Sequence, residues 1–391
     1  MKKKSINSSR TPVYRDAGFE LFNAETASEA FSRENDPERE PELYIYSRYR
    51  NPTVVSAEEE IMKLEESDWA LLTQSGMSAI DTAVSIFHKG IATRPWLFFS
   101  EIYGGTITFA ETILKQHRGL DIHSFSPTDE KYDLVAFESL VDRLRPEFVY
   151  IEAISNPMLI VPDVRAIIAI AGKYGSRIIA DNTFATPLLW KPLADGADLV
   201  IHSATKYFSG HGNITAGVIC GNDKSLMKAT LNYRKYTGHM ISADDAYRLH
   251  DHLQTLELRF SRQCINASMT ASLLNESEKI AKVWYPGLRE HPTYNEAVNL
   301  FGDKGFGGMV TFDFAGSSPE QKRSRRDQFI RLVEGRIRLI PSLGDPRTII
   351  LPVESVWGIK YPEPGMLRLS AGFENTGDLK DTLVSALNSI D

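Results

Sequence analysis

The chain has 391 residues, 42% hydrophobic and 24% charged, with a formal net charge of −7; it can bury a large core, is expected to split into two domains, and its negative balance argues against nucleic acid as a partner. Two cysteines, Cys220 and Cys264, give no disulfide framework and suggest a reducing compartment. The basic Met-Lys-Lys-Lys start lacks the apolar core of a secretory signal, and no apolar run of roughly 18 residues offers a membrane span, so a cytoplasmic protein without a membrane partner is expected.

Residues 1–45 are polar, rich in Glu, Ser, Arg and Pro, and read as an extended arm with little core of its own. Tyr46-Ser-Arg48-Tyr-Arg-Asn-Pro follows. The spacing predicts a helix over 57–66 with Ile61 and Leu64 inward, a strand at Ala70–Leu72, and a helix with Met77, Ile80, Val84 and Phe87 on its apolar face. Ser75 suits the N-cap of that helix, and Ser75-Gly76-Met77 reads either as simple capping or as a turn whose N–H groups approach an anion. Trp96–Phe99 is a strand. Beyond it, Tyr103-Gly-Gly105 offers a ring that either stacks on a ligand or belongs to the core. A helix over 134–144 ends before Pro146, a strand at Phe148–Ile151 leads into Ser155-Asn156-Pro157, and a helix covers 162–174.

Two apolar runs, Ile178–Ala180 and Leu199–Ile201, read as buried strands of a doubly wound sheet with right-handed crossovers. Asp181 closes the first; Ser203, Thr205 and Lys206 follow the second. Ligands of open α/β sheets sit at the carboxyl ends of strands, so both clusters face one crevice. Pyridoxal phosphate is one answer to this combination: Lys206 condenses with its aldehyde, Asp181 keeps its ring nitrogen protonated, and Ser203 and Thr205 donate to its phosphate.

Residues 229–242 read as an irregular, glycine-interrupted segment, and 243–275 as one long helical pattern linking the domains. His250 and His252 lie two positions apart on that helix, point apart, and read as a solvated face rather than a metal pair. Tyr285-Pro-Gly287 is a turn, 302–308 a glycine-rich loop without nucleotide-binding spacing, and Gly308–Phe314 a strand. Arg368 alternates with Leu367 and Leu369, so it faces away from them and needs an anion: a structural carboxylate or that of an amino-acid substrate.

Ser203-Ala-Thr-Lys206-Tyr, with Asp181-Asn-Thr before it, resembles the signature of the cysteine/methionine-metabolism family of pyridoxal-phosphate enzymes, which includes methionine γ-lyase, cystathionine γ-synthase, cystathionine lyases and O-acetylhomoserine sulfhydrylase. The resemblance runs from about Tyr46 to the C-terminus, and Lys206–Gly217 is most similar to methionine γ-lyase. It implies an aminotransferase-like (fold type I) α/β architecture, with a mostly parallel doubly wound sheet and a smaller α+β C-terminal domain. The expected division is an arm over 1–56, a cofactor domain over 57–250 and a C-terminal domain over 251–391.

By the same resemblance, Tyr46 and Arg48 clamp the phosphate of a neighbouring subunit, Gly76 and Met77 bind phosphate through N–H groups, and Tyr103 stacks on the cofactor and acts as an acid. Asn156 lies beside the phenolic oxygen, and Arg368 with Ser342 holds the substrate carboxylate. A homotetramer, a dimer of dimers with sites shared between subunits, is implied, as is elimination at the γ-carbon of a sulfur amino acid; γ-replacement and cystathionine cleavage are the alternatives. Four positions depart from the relatives: Gly105 stands where methionine γ-lyase usually has cysteine, Asn213 where aspartate is common, Lys235 where methionine γ-lyase has an acid near the substrate entrance, and Pro341 where cystathionine γ-lyases tend to carry glutamate.

Overall fold

The computed structural model describes residues 10–34, 43–88, 90 and 94–391. The basic start and part of the arm lie outside them. The arm is not wholly extended: Asn23 caps a helix, Ala24–Ser32, of which only Ala30 is buried. The arm lies along its own chain, where Tyr14 N–H donates to Thr53 Oγ1 at 2.9 Å and Asn51 Nδ2 donates to Tyr14 O at 2.8 Å.

Seven strands form the first sheet: β1 (Trp69–Thr73), β2 (Trp96–Phe99), β3 (Ile122–Phe125), β4 (Phe148–Glu152), β5 (Arg177–Asp181), β6 (Leu199–His202) and β7 (Gly217–Gly221). Their order is β1-β7-β6-β5-β4-β2-β3. Pairs β2/β3, β2/β4, β4/β5 and β5/β6 are parallel, while β7 runs antiparallel to both neighbours. Helices such as Gly76–Ser85 and Val164–Lys173 supply buried apolar side chains to a core in which Leu71, Leu97, Val149, Ile179 and Val200 are fully enclosed. Burial on both faces is why these strands read as continuous apolar runs. The register aligns Glu152 with Asp181 and Asp181 with Ile201, so the strand ends open on one side of the sheet.

Five further strands, β8 (Ile280–Trp284), β9 (Met309–Phe314), β10 (Arg338–Leu339), β11 (Ile349–Pro352) and β12 (Met366–Ser370), form a second sheet of order β10-β11-β12-β9-β8. Leu367 and Leu369 face a separate core with Phe312, Phe329, Leu379 and Leu383. Strand alternation turns Arg368 to the other face, toward the strand ends of the first sheet.

Three expectations are corrected. Lys224–Thr237 is a regular helix, capped by Asp223 and ended by Gly238 at φ 76°, rather than an irregular segment. Its buried face mixes Leu226 and Leu231 with Thr230, Arg234 and Lys235, the Arg234 guanidinium donating to Glu58 at 2.6 Å, so polar residues interrupt its apolar stripe. The stretch 243–275 is two helices, Ala243–Leu253 and Leu256–Asn275, parted at Gln254–Thr255 without a proline or glycine to mark the break. His250 and His252 are half-buried rather than solvated; His252 stacks on His211 with centroids 4.0 Å apart, and burial, with the neighbouring His211, lowers its pKa to about 4.

Candidate active site

A cavity of about 230 Å³ lies where the strand ends of the first sheet meet the second. All the predicted site residues line it except Tyr46 and Arg48. Lys206 sits in a turn after β6, where its N–H donates to Ser203 O at 3.0 Å and its carbonyl accepts from Gly210 N–H at 2.7 Å. The loop carrying Ser342 is pressed against this turn. Gly344 has φ 78°, and a Cβ there would lie 2.9 Å from Lys206 C and Tyr207 N, so only glycine brings the loop this close. Ser342 Oγ accepts from Lys206 Nζ at 3.1 Å. Burial and then the positive Arg368 bring the Lys206 ammonium from 10.5 down to about 8, opposed by Asp345.

Asp181 is buried at the end of β5 with no cation paired to it among the described residues. Burial raises its pKa; the bonds it accepts from Thr183 N–H at 3.0 Å, Thr183 Oγ1 at 2.5 Å and Tyr150 Oη at 3.0 Å hold it back toward the ionised form. A protonated ring nitrogen is the complement this carboxylate lacks. Glu152, which the sequence reading passed over, ends β4 opposite Asp181 and accepts Tyr103 N–H at 2.6 Å. Burial and then Asp181 push its carboxyl well above the usual range. Its signal was a carboxylate closing the apolar run before Ser155-Asn156.

At the opposite end, Ser75 caps the helix Gly76–Ser85 by accepting Ser78 N–H at 3.1 Å. The N–H groups of Gly76 and Met77 find no acceptor among the described residues. A Cβ on Gly76 would lie 2.8 Å from Ser203 Oγ, and one on Gly217 2.2 Å from Ser75 O, so two glycines let this helix start close against Ser203. The Ser203 hydroxyl has no hydrogen-bond partner among the described residues. The Thr205 hydroxyl instead donates to Ala216 O at 3.1 Å and accepts Ala216 N–H at 2.9 Å, which commits its only proton to the residue just before β7. Thr205 braces the lysine turn, leaving Ser203 as the free hydroxyl donor.

Arg368 is buried without a carboxylate partner among the described residues, which removes the structural ion pair as an explanation. One terminal nitrogen donates to Asn156 Oδ1 at 3.0 Å, the other to Ser342 O at 2.9 Å, and Nε has no acceptor. Burial lowers its pKa to about 10. Tyr103, at the cavity edge, is 48% exposed. A Cβ on Gly105 would lie 2.4 Å from its ring, so this ring position requires glycine there.

Tyr46 and Arg48 lie away from the cavity of their own chain. The Arg48 guanidinium covers the Tyr46 and Tyr49 rings at 5.6 and 5.1 Å and donates to Lys235 O at 2.8 Å. Lys235 is buried and donates to Glu34 at 2.5 Å. Asn213 is exposed and its carbonyl accepts from Arg248 at 3.3 Å.

The profile of the family described as Cys/Met metabolism PLP-dependent enzyme matches residues 1–388. The chain is 31% identical to L-methionine gamma-lyase of Porphyromonas gingivalis, over 97% of this chain and 92% of that protein. It is 32% identical to cystathionine beta-lyase of Lactococcus lactis, over 89% of each. The crystal structure of cystathionine gamma synthase from Xanthomonas oryzae pv. oryzae with cystathionine superposes with a TM-score of 0.83 at 27% identity, covering 97% of this chain and 92% of that one.

The cavity suits the group these matches imply. A buried amine of lowered pKa faces it, a buried carboxylate without a cation stands ready for a ring nitrogen, and free N–H groups with an unengaged serine await a phosphate. Amine, carboxylate and anion cradle in one cavity, together with a whole-chain match, place the protein in the family of Cys/Met metabolism PLP-dependent enzymes, with pyridoxal 5′-phosphate as its cofactor.

Proposed function

We propose that the protein is a lyase acting at the γ-carbon of a sulfur amino acid, converting a methionine-like substrate and water into a 2-oxo acid, ammonia and a thiol. The observation that carries an amino-acid substrate is the buried Arg368 guanidinium, without a carboxylate partner, in the same cavity as the Lys206 amine. The γ-elimination reading is supported by the Lys206–Gly217 string and by the identity with methionine gamma-lyase.

Bound pyridoxal phosphate supplies an electron-withdrawing ring that makes the α-proton of a joined amino acid acidic. The residues of the chain do the rest. Gly76, Met77 and Ser203 would hold the phosphate, and Asp181 would keep a proton at the ring nitrogen. Arg368 and Ser342 would hold the substrate carboxylate, and Asn156, whose Oδ1 accepts from Arg368, would donate to the ring's phenolic oxygen. Lys206 Nζ, neutral in part because its pKa is about 8, takes the α-proton. Tyr103 Oη gives a proton to the departing sulfur.

The lowered lysine pKa has a consequence for cofactor capture. Only the neutral amine attacks an aldehyde, so uptake by the apo-protein is expected to speed up about tenfold per pH unit up to about pH 8 and then level off. Stopped-flow absorbance checks this; a rise continuing to the usual lysine range would contradict it.

Tyr46 and Arg48, outside their own cavity, reach the phosphate site of a neighbouring subunit in this reading, within a cytoplasmic homotetramer. The arm over 1–56 makes that reach, and the domains over 57–250 and 251–391 enclose the cavity. Arg48→Ala is expected to weaken cofactor binding by about 10–100-fold, the loss of a charge-assisted phosphate contact; an unchanged dissociation constant would remove the assignment.

The function itself is tested with purified protein and L-methionine, L-cystathionine and O-acetylhomoserine, scoring 2-oxo acid, thiol and ammonia. Release of 2-oxo acid from methionine without added thiol supports elimination. Consumption of homoserine esters only with a thiol present would make the protein a γ-replacement transferase. Release of cysteine or of homocysteine from cystathionine, without turnover of methionine, would make it a cystathionine lyase, cleaving at the γ- or the β-carbon respectively.

A further inference from the structure

Between β11 and β12 the chain makes a helical turn, Glu354–Trp357, and a 3₁₀ turn, Gly358–Lys360. This strap is tied at both ends. Val353 is fully buried, and Glu354 pairs with Arg323 and Arg326 of the helix Pro319–Val333, which packs on the second sheet, at 3.0 and 3.1 Å. At the other end Lys360 Nζ donates to Ser100 O at 2.8 Å and pairs with Glu101 at 3.0 Å, and Tyr361 Oη donates to the same Glu101. Ser100 and Glu101 follow β2 and precede Tyr103 by two residues or more. The strap therefore runs from the sheet that carries Arg368 to the loop that carries Tyr103.

Trp357 lies in the middle of this bridge, half-buried. Its ring centroid is 5.4 Å from Arg368 Cζ, and its Nε1 would be 3.9 Å from a Cβ on Gly104. A guanidinium under an aromatic ring is held by attraction to the π face and is shielded there from water, while its in-plane donors stay free. Two of the in-plane donors of Arg368 are spent on Asn156 and Ser342, and Nε–H has no acceptor.

We propose that Trp357 is a positioning residue for carboxylate recognition: its indole, carried by the strap latched on Glu101, holds the Arg368 guanidinium so that its edge meets the α-carboxylate of the bound amino acid. This rests on Arg368 being the carboxylate site. It makes the latch on Glu101 part of substrate binding, since the element that orients Arg368 is fastened to the loop of the proposed acid Tyr103.

The test is calorimetric titration of the holoenzyme with L-norleucine, which has the length of methionine but no leaving group, and with L-norleucinamide, which lacks the carboxylate. Trp357→Ala is expected to raise the norleucine Kd about tenfold and the amide Kd less than about twofold, with Trp357→Phe returning norleucine to within about threefold of the parent. Arg368→Ala is the control for the underlying reading and should abolish the preference for norleucine over its amide. If Arg368→Ala keeps that preference, the carboxylate site lies elsewhere. If Arg368→Ala loses it while Trp357→Ala leaves it unchanged, or weakens both ligands equally, Trp357 has no positioning role.

Discussion

Lys206→Ala is expected to lower kcat by at least about 10⁴-fold and to leave a protein that binds pyridoxal phosphate without a covalent bond. The size follows from the neighbourhood. Within the cavity Lys206 is the amine, its pKa is already lowered to about 8 by burial and Arg368, and its Nζ donates to Ser342 Oγ at 3.1 Å. The other groups there are carboxylates, hydroxyls, an amide and a guanidinium, none of which can both attack an aldehyde and accept a carbon-bound proton. The fold should survive, because Lys206 makes no ion pair among the described residues and burial disfavours its charged form, so removing it relieves a desolvation cost. Thermal melting separates this from unfolding, and steady-state turnover gives the loss; a variant retaining kcat within about tenfold would assign the chemistry to another base.

Asp181→Asn is the second large effect, with kcat expected to fall about 10²–10³-fold, comparable with removing one preorganised electrostatic partner from a developing charge. The carboxylate is held in place by Thr183 and Tyr150, and asparagine fills the same space. An amide in that position cannot retain a proton at the ring nitrogen, so the ring loses its charge and much of its electron demand. The effect should fall on kcat rather than on KM, since Asp181 is bonded to Thr183 and Tyr150 and shares no hydrogen bond with Arg368 or Ser342. Equal kcat in the variant would show that the ring works unprotonated or gains its proton elsewhere.

The site was legible in the sequence where chemistry closes an apolar run. Asp181 after Ile178–Ala180, and Ser203 to Lys206 after Leu199–Ile201, stand at strand ends that a parallel sheet gathers on one side. Arg368 was legible for the complementary reason, a charge alternating with two leucines that are both fully buried. What escaped was of another kind. The helix Lys224–Thr237 buries Arg234 and Lys235 against Glu58 and Glu34 from distant segments, so its inward face looks partly polar until the partners are in place. The Thr205 hydroxyl is claimed by Ala216, eleven positions later and just before the next strand, which local spacing does not reveal. Glu152 matters through its register with Asp181, and Trp357 through a guanidinium eleven positions later in the chain; neither relation has a sequence period. Tyr46 and Arg48 were picked out by resemblance, and in their own chain Arg48 donates to Lys235 O and neither residue lines the cavity.

The central claim is a covalent attachment of pyridoxal phosphate to one amine. Borohydride reduction of the yellow holo-protein, followed by peptide mass mapping, tests it most directly. A phosphopyridoxyl group on the peptide carrying Lys206, and on no other lysine, is the predicted result. Label on a different lysine, or a cofactor that washes away unreduced from a fully loaded protein, would contradict it.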